Sequence, residues 1–153
     1  MEAPFKQGNV SEPVVLSHYL RAGFVVSVPF GVGAPYDFVV DTGSVLFRAQ
    51  VKTGRLRNGV IEFETRRTRG RTTRSGYKKN EADYFVIYCP QLEAVYAMRA
   101  REGVFGKLRV RPTGNNQQMF VKWAEEYLFE KHLAALRALE PRGESIEGAG
   151  RFV

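Results

Sequence analysis

Asp37, Gln50 and Lys52 are the residues whose types and spacing suit chemistry. They flank Gly43-Ser44, a pair that suits a two-residue type II′ hairpin turn, with glycine supplying the positive φ at the first turn position. Such a turn sets Val40 opposite Phe47, Phe38 opposite Ala49 and Tyr36 opposite Val51, which makes one face apolar. On the reverse face Asp37 lies opposite Gln50, and Lys52 follows two residues further along. An acid, an amide oxygen and an ammonium then share one patch. Hydrolysis of a phosphodiester needs an activated water and relief of negative charge, and a Mg²⁺ held by one or two carboxylates supplies both. Asp37 is the natural carboxylate ligand, with the Gln50 amide and the Val51 carbonyl as neutral oxygens beside it. Lys52 would orient the attacking water, tune its pKa or neutralise the phosphorane. The plainer reading is the wet side of an antiparallel hairpin.

The flanking elements must hold this patch. Residues 11–22 carry Val14, Val15, Leu16, Tyr19 and Leu20 at helical spacing, with Gly23 as the stop. Ser11 suits the N-cap, Pro13 the first turn, and Glu12 the N-terminal end. There Glu12 either complements the helix dipole or, with that end packed over the hairpin, adds a second carboxylate. Residues 1–8 show no pattern. A strand over 24–28 is stopped by Pro29, Gly31 and Gly33. After the hairpin, 53–58 reads as a turn or bulge region, 59–64 as an alternating strand and 65–80 as a long arginine-rich loop. Residues 84–88 form a buried strand, Pro90-Gln91 a turn, 94–98 another strand, and 104–110 a short one. The spacing predicts a second helix from about 116 to 139, with Phe120, Trp123, Tyr127, Ala134 and Leu139 inward, ended by Pro141 and Gly143. The expectation is an α+β fold in one domain over 1–140, a mostly antiparallel sheet with flanking helices, and a flexible tail over 141–153. The helices would cover the apolar hairpin face and leave the Asp37, Gln50 and Lys52 face open.

Charge narrows the partners. The chain of 153 residues carries a formal charge of +7. Between positions 55 and 79 stand Arg55, Arg57, Arg66, Arg67, Arg69, Arg71, Arg74, Lys78 and Lys79, against Glu62 and Glu64. A basic stretch interleaved with Thr, Ser and Gly suits phosphate contact, because those residues also donate to phosphate oxygens. Tyr77 adds one aromatic able to stack on a base. The single Cys89 excludes an internal disulfide and any cysteine-based metal cluster, and its place after an apolar run makes it a buried strand-end thiol. No run approaches the roughly 18–20 apolar residues of a membrane span. A soluble, cytoplasmic protein with no membrane partner is expected. His18 and His132 stand alone and suit packing, Asp41 solvates the hairpin end, and Gly31-x-Gly33 lacks the following helix that a phosphate loop needs.

Glu12, then Pro35-Tyr36-Asp37, then Gln50-Val51-Lys52 resembles the PD-(D/E)xK nuclease superfamily. Its archaeal-type Holliday junction resolvases and group I intron homing endonucleases are the branches that fit best. The likeness continues through residues 82–88 and the Trp123 region. It implies a restriction-endonuclease-like core with a mixed central sheet. It also implies Mg²⁺, or Mn²⁺ in its place, on Glu12, Asp37, Gln50 and the Val51 carbonyl, with Lys52 as the catalytic lysine. Gln50 departs from the pattern, since most members have Asp or Glu there, and a neutral amide leaves the metal site one charge poorer. The leading expectation is a Mg²⁺-dependent endonuclease for four-way DNA junctions, because arginines on a flexible loop suit backbone contact. It would act as a homodimer making two symmetric cuts, joined through residues 84–88 and 94–98 and through Phe105, Phe120 and Phe129. The alternatives are a sequence-specific homing endonuclease and a catalytically inactive DNA-binding protein.

Overall fold

A computed structural model describes residues 4–69, 73–76, 81–112, 114–115 and 119–139. Helix α1 spans Pro4–Arg21 and buries Val15 and Tyr19, one helical turn apart, against the sheet. Its end is a Schellman motif: the Phe24 N–H bonds the Tyr19 carbonyl, the Gly23 N–H bonds the Leu20 carbonyl, and Gly23 sits at φ +84°. The start differs from expectation. Residues 4–10 are helical, so Ser11 is a buried mid-helix residue rather than a cap, Pro13 lies inside, and Glu12 is far from the N-terminus. The dipole explanation for Glu12 therefore fails. Val10, the residue before Ser11, is exposed.

The main sheet runs β1 (Val25–Ser27), β2 (Phe38–Asp41), β3 (Leu46–Thr53), β8 (Tyr84–Cys89) and β9 (Ala94–Arg99), in that spatial order. The β2–β3 hairpin has the expected register, with Val40 opposite Phe47 and Phe38 opposite Ala49. Gly43 takes φ +88° at the turn, and the Asp41 carboxylate accepts its N–H at 2.8 Å. Strands β3 and β8 pair in parallel, with Gln50 beside Phe85 and Lys52 beside Ile87. That pairing follows a long crossover through residues 54–83, which makes the sheet mixed. Arg48 pins the entry to β8, its backbone N–H and guanidinium both bonding the Asp83 carboxylate.

Two cores flank the sheet. Val15, Tyr19, Phe38, Val40, Phe47, Ala49, Val51, Phe129 and Leu136 fill the helical side. On the other side Phe85, Ile87 and Met98 pack against Ile61, Phe63 and Leu108. Ile61 and Leu108 belong to a second sheet of β4 (Arg55–Arg57), β5 (Val60–Glu62) and β10 (Lys107–Arg109), and Phe63 directly follows β5. The face bearing Gln50 and Lys52 is therefore bordered by a second sheet rather than open. Gly54 makes this possible: its N–H bonds the Tyr88 carbonyl at 2.7 Å, and a Cβ there would lie 2.6 Å from Ile61 and 2.9 Å from Ile87.

Three stretches read from sequence as something else. Residues 53–58 are not a turn; β4 and β5 form a hairpin through Asn58-Gly59, both at positive φ as a type I′ turn requires. The arginine-rich stretch contains an antiparallel ribbon, β6 (Arg66–Arg69) with β7 (Thr73–Gly76), in which Arg67 faces Ser75 and Thr68 faces Arg74. Arg71, Tyr77, Lys78, Lys79 and the tail over 141–153 lie outside the described residues. The second helix, α2, is only Phe129–Arg137, and it turns Phe129, His132 and Leu136 inward. Trp123 and Leu128 are extended and bridge β10 and β9, so tertiary pairing overrides their helical spacing. Phe120, Ala134 and Leu139 are exposed. Strands β8 and β9 are covered on both faces and Phe129 is buried, so these apolar side chains, expected to join two copies, pack within the chain. Among the described residues no helix is long and apolar enough to cross a membrane.

Candidate active site

Asp37 immediately precedes β2, and its N–H continues the hairpin ladder by bonding the Ala49 carbonyl at 2.9 Å. One carboxylate oxygen, Oδ2, accepts the Val51 N–H at 2.7 Å and the Gln50 amide at 2.7 Å. The same Gln50 nitrogen lies 3.3 Å from the Val51 carbonyl. From the opposite layer α1 delivers Glu12, whose carboxyl shares a hydrogen bond with Asp37. The helix is bolted in place one residue earlier: the Ser11 and Thr53 hydroxyls meet at 2.6 Å. The structure thus gathers Glu12, Asp37, Gln50, Val51 and Lys52 around the central strand β3, beside the start of β2.

Electrostatics mark the cluster. Burial pushes the Asp37 carboxyl above its ordinary range, against the downward pull of the Val51 N–H, Glu12 and Lys52. Glu12 is raised as well, by desolvation first and then by the Asp37 charge. Desolvation is thus the chief reason both carboxyls hold their protons tightly, and the Lys52 charge only partly offsets it at Asp37. Lys52 is pulled down to about 8, chiefly by burial, while Asp37 and Glu64 oppose the fall. Its ammonium stands 5.5 Å from the Phe85 ring centre. An amine poised there gives up or takes a proton near neutral pH at small cost.

The donor set fits a hard divalent cation such as Mg²⁺. Glu12 and Asp37 supply charge, and the Val51 carbonyl supplies a neutral oxygen; turning the Gln50 amide over presents Oε1 where Nε2 now stands. Among the described residues no three His, Cys, Asp or Glu side chains cluster as a metal site, which follows from glutamine standing where a third acid would be.

Several contributors went unread in the sequence. Ser11 and Thr53 set the helix position, and Glu64 and Phe85 shape the field at Lys52. Ser11 and Thr53 each adjoin a candidate residue, yet their pairing depends on the packing of α1 on β3. Of the basic candidates, Arg55 and Arg57 are exposed and line a cleft of about 410 Å³ that begins at Thr53 and includes Glu64. Arg66, Arg67, Arg69 and Arg74 are on the ribbon. The two histidines pack: the His18 ring abuts Phe129 edge-on, and His132 is buried. Cys89 is a buried strand-end thiol as expected.

A mixed sheet flanked by helices, with a carboxylate pair and a lysine at its central strand, defines a nuclease core of the restriction-endonuclease kind. A model of the PD-(D/E)XK endonuclease family matches residues 4–130, and the chain belongs to that family. Among solved structures it is similar to the bacterial homing endonuclease I-Ssp6803I, with a TM-score of 0.67 at 24% identity, over 89% of this chain and 95% of that one. That likeness is one of fold. No curated protein sequence matches the chain.

Proposed function

We propose that this endonuclease is Mg²⁺-dependent and cuts duplex DNA at a site read by the β6–β7 ribbon, as a homing endonuclease would. The observation that carries the reading is the ribbon itself. A two-stranded antiparallel ribbon is an element the major groove of B-DNA admits, whereas a structureless loop suits backbone contact alone. The ribbon follows closely on Glu64, whose charge acts on Lys52, so recognition and cutting are joined through a few residues of chain.

In this reading a bound Mg²⁺ supplies charge neutralisation and an acidified water. Glu12, Asp37, the Val51 carbonyl and, with its amide turned over, the Gln50 oxygen would hold it. The Val51 N–H fixes the Asp37 carboxylate, so its orientation is set before substrate arrives. Lys52, partly desolvated against Phe85, takes a proton from the attacking water or neutralises charge growing on the phosphate. Two opposed cuts need two such sites, hence two copies of the chain. With β8 and β9 buried, the apolar residues left to join them include Leu20, Val25, Val28, Phe30 and Val32, all exposed around β1 and the loop after it.

Four-way junction resolution is the second reading. It is favoured by the spread of cations beyond the ribbon, over β4 and β10, which would suit more than one duplex arm. Cleavage of a random pool of linear duplexes, compared with a mobile four-way junction, both with Mg²⁺, tests the two. Recovery of a common sequence at the cuts supports the ribbon reading. Cutting restricted to the junction replaces it with the second, and no cutting of either overturns both.

A further inference from the structure

We propose that the cleft between Phe105 and Phe120 is a second nucleic-acid site, one that takes a single unstacked nucleotide of the bound DNA. The proposal rests on the DNA-endonuclease reading above. The cleft encloses about 520 Å³ and lies along β10 and its neighbouring turns. Phe105 and Phe120 line it while being 82% and 95% exposed, a heavy apolar load to leave in water. Phe120 is also held at φ +60°, a left-handed conformation that bulky residues avoid. Strain of that kind persists where the surroundings enforce it, and it clusters at ligand sites.

Charge selects the occupant. Lys107, Arg109 and Lys122 line the same cleft against the single acid Glu102. Aromatic rings beside cations form the platform on which single-stranded nucleotides bind, the base stacking and the phosphates paired. A second copy of this chain is disfavoured, because a two-fold contact centred here would set each copy's three cations against the other's. Position agrees as well. Strand β10 pairs with β5, Lys107 opposite Glu62, and the chain beyond β5 carries Glu64 and then the ribbon. DNA seated on the ribbon and the Lys52 site passes this sheet, and a base leaving the stack there would find the cleft.

Anisotropy titrations without divalent cation, using a flush duplex and the same duplex with one bulged nucleotide, test the site. Wild type should prefer the bulged duplex. Phe105→Ser and Phe120→Ser, both at exposed positions, should weaken bulged binding by roughly fivefold to a hundredfold, the span of one lost base–aromatic stack, and leave flush binding unchanged. Phe120→Gly, which removes the strain along with the ring, should behave as Phe120→Ser does. Lys107→Ala and Lys122→Ala should weaken both duplexes and lower the salt slope by about one unit each. Equal binding of the two duplexes by wild type, or phenylalanine variants that match wild type, would overturn the site while cutting stays intact. So would light scattering in which those variants split a dimer, which would assign the cleft to a second copy. Wild type that neither binds nor cuts DNA would remove the endonuclease reading itself.

Discussion

The Ser11 and Thr53 hydroxyls meet at 2.6 Å, and each adjoins a residue of the candidate site, Glu12 on α1 and Lys52 on β3. The bond fixes the rotation of α1 on the sheet at the place where Glu12 must reach Asp37. Ser11→Ala should cost about 0.5–1.5 kcal/mol, the net worth of one part-buried hydrogen bond to Thr53. It should also raise the Mg²⁺ needed for half-maximal cutting while leaving DNA affinity alone. Thermal melts and metal titrations of cleavage check both halves.

Charge at the carboxylate pair is the next variable. Glu12 and Asp37 are both raised in the folded chain, so without metal they are less stable ionised than in the unfolded chain. Their contribution to stability is full below the ordinary carboxylate range and is lost as pH rises through the raised values. Glu12→Gln should therefore stabilise the metal-free protein at neutral pH and raise its Mg²⁺ requirement. Gln50→Glu should do the reverse on both counts. Melting curves with and without Mg²⁺ give the answer, and shifts of the same sign in both variants would refute the assignment.

Much of this cluster was legible because a two-residue turn fixes pairing and strands alternate with period two. Asp37, Gln50 and Lys52 follow from Gly43-Ser44 alone. Glu12 did not follow, because a helix's rotation on a sheet depends on contacts such as Ser11 to Thr53. The β4–β5 hairpin was present in the sequence as Asn58-Gly59 between apolar residues, and its three-residue strands hid it. The parallel pairing of β3 with β8 had no local signal, since a long crossover separates them. The second helix was overdrawn for the opposite reason: Trp123 and Leu128 fall at helical spacing, yet their backbones bridge strands.

Lys52 is half-buried on β3 and is not part of the ribbon, so its loss should separate chemistry from binding. Lys52→Ala should lower the cutting rate by about 10²–10⁴, the range for a positioned acid–base group, with DNA affinity within about twofold of wild type. Asp37→Ala should match it in rate. Gel-shift and cleavage assays on one preparation decide the matter, and full activity in Lys52→Ala would sink the site.

His132 offers a test of the fold. Its Nε2 lies 3.0 Å from the buried Tyr19 hydroxyl, among Phe47, Tyr84 and Phe129. Burial, and then the Arg99 charge, pull its pKa from 6.5 down to about 4. The unfolded chain thus takes the proton first. Stability from this residue is whole above pH 6.5, drains as pH falls, and is lost by about pH 4, a change of roughly 3 kcal/mol. The Glu12–Asp37 pair works in the opposite direction, so the difference between wild type and His132→Gln isolates the effect. The variant should lose less stability than wild type between pH 7 and 4. Parallel slopes would mean that the imidazole is not held neutral.

The ribbon separates the two substrate readings. Arg66, Arg67, Arg69 and Arg74 occupy paired positions on β6 and β7, with Arg66 opposite Gly76 and Arg69 opposite Thr73. If these arginines hold phosphates alone, replacing a pair with Ala flattens the dependence of log K on log salt by about two units and weakens every sequence alike. An element seated in the major groove does something further. There a bidentate contact to guanine is worth about 1–3 kcal/mol of discrimination, so losing it relaxes the preference at one base pair. The expected outcome is therefore mixed. At least one of the four single Ala variants should lose preference at a single position of the cut site, with the others weakening binding uniformly. Cleavage of randomised duplex pools by each variant, sequenced at the cut ends, reads this directly. Uniform weakening by all four, with no position relaxed, would leave the ribbon as a backbone grip and transfer the argument to branched DNA.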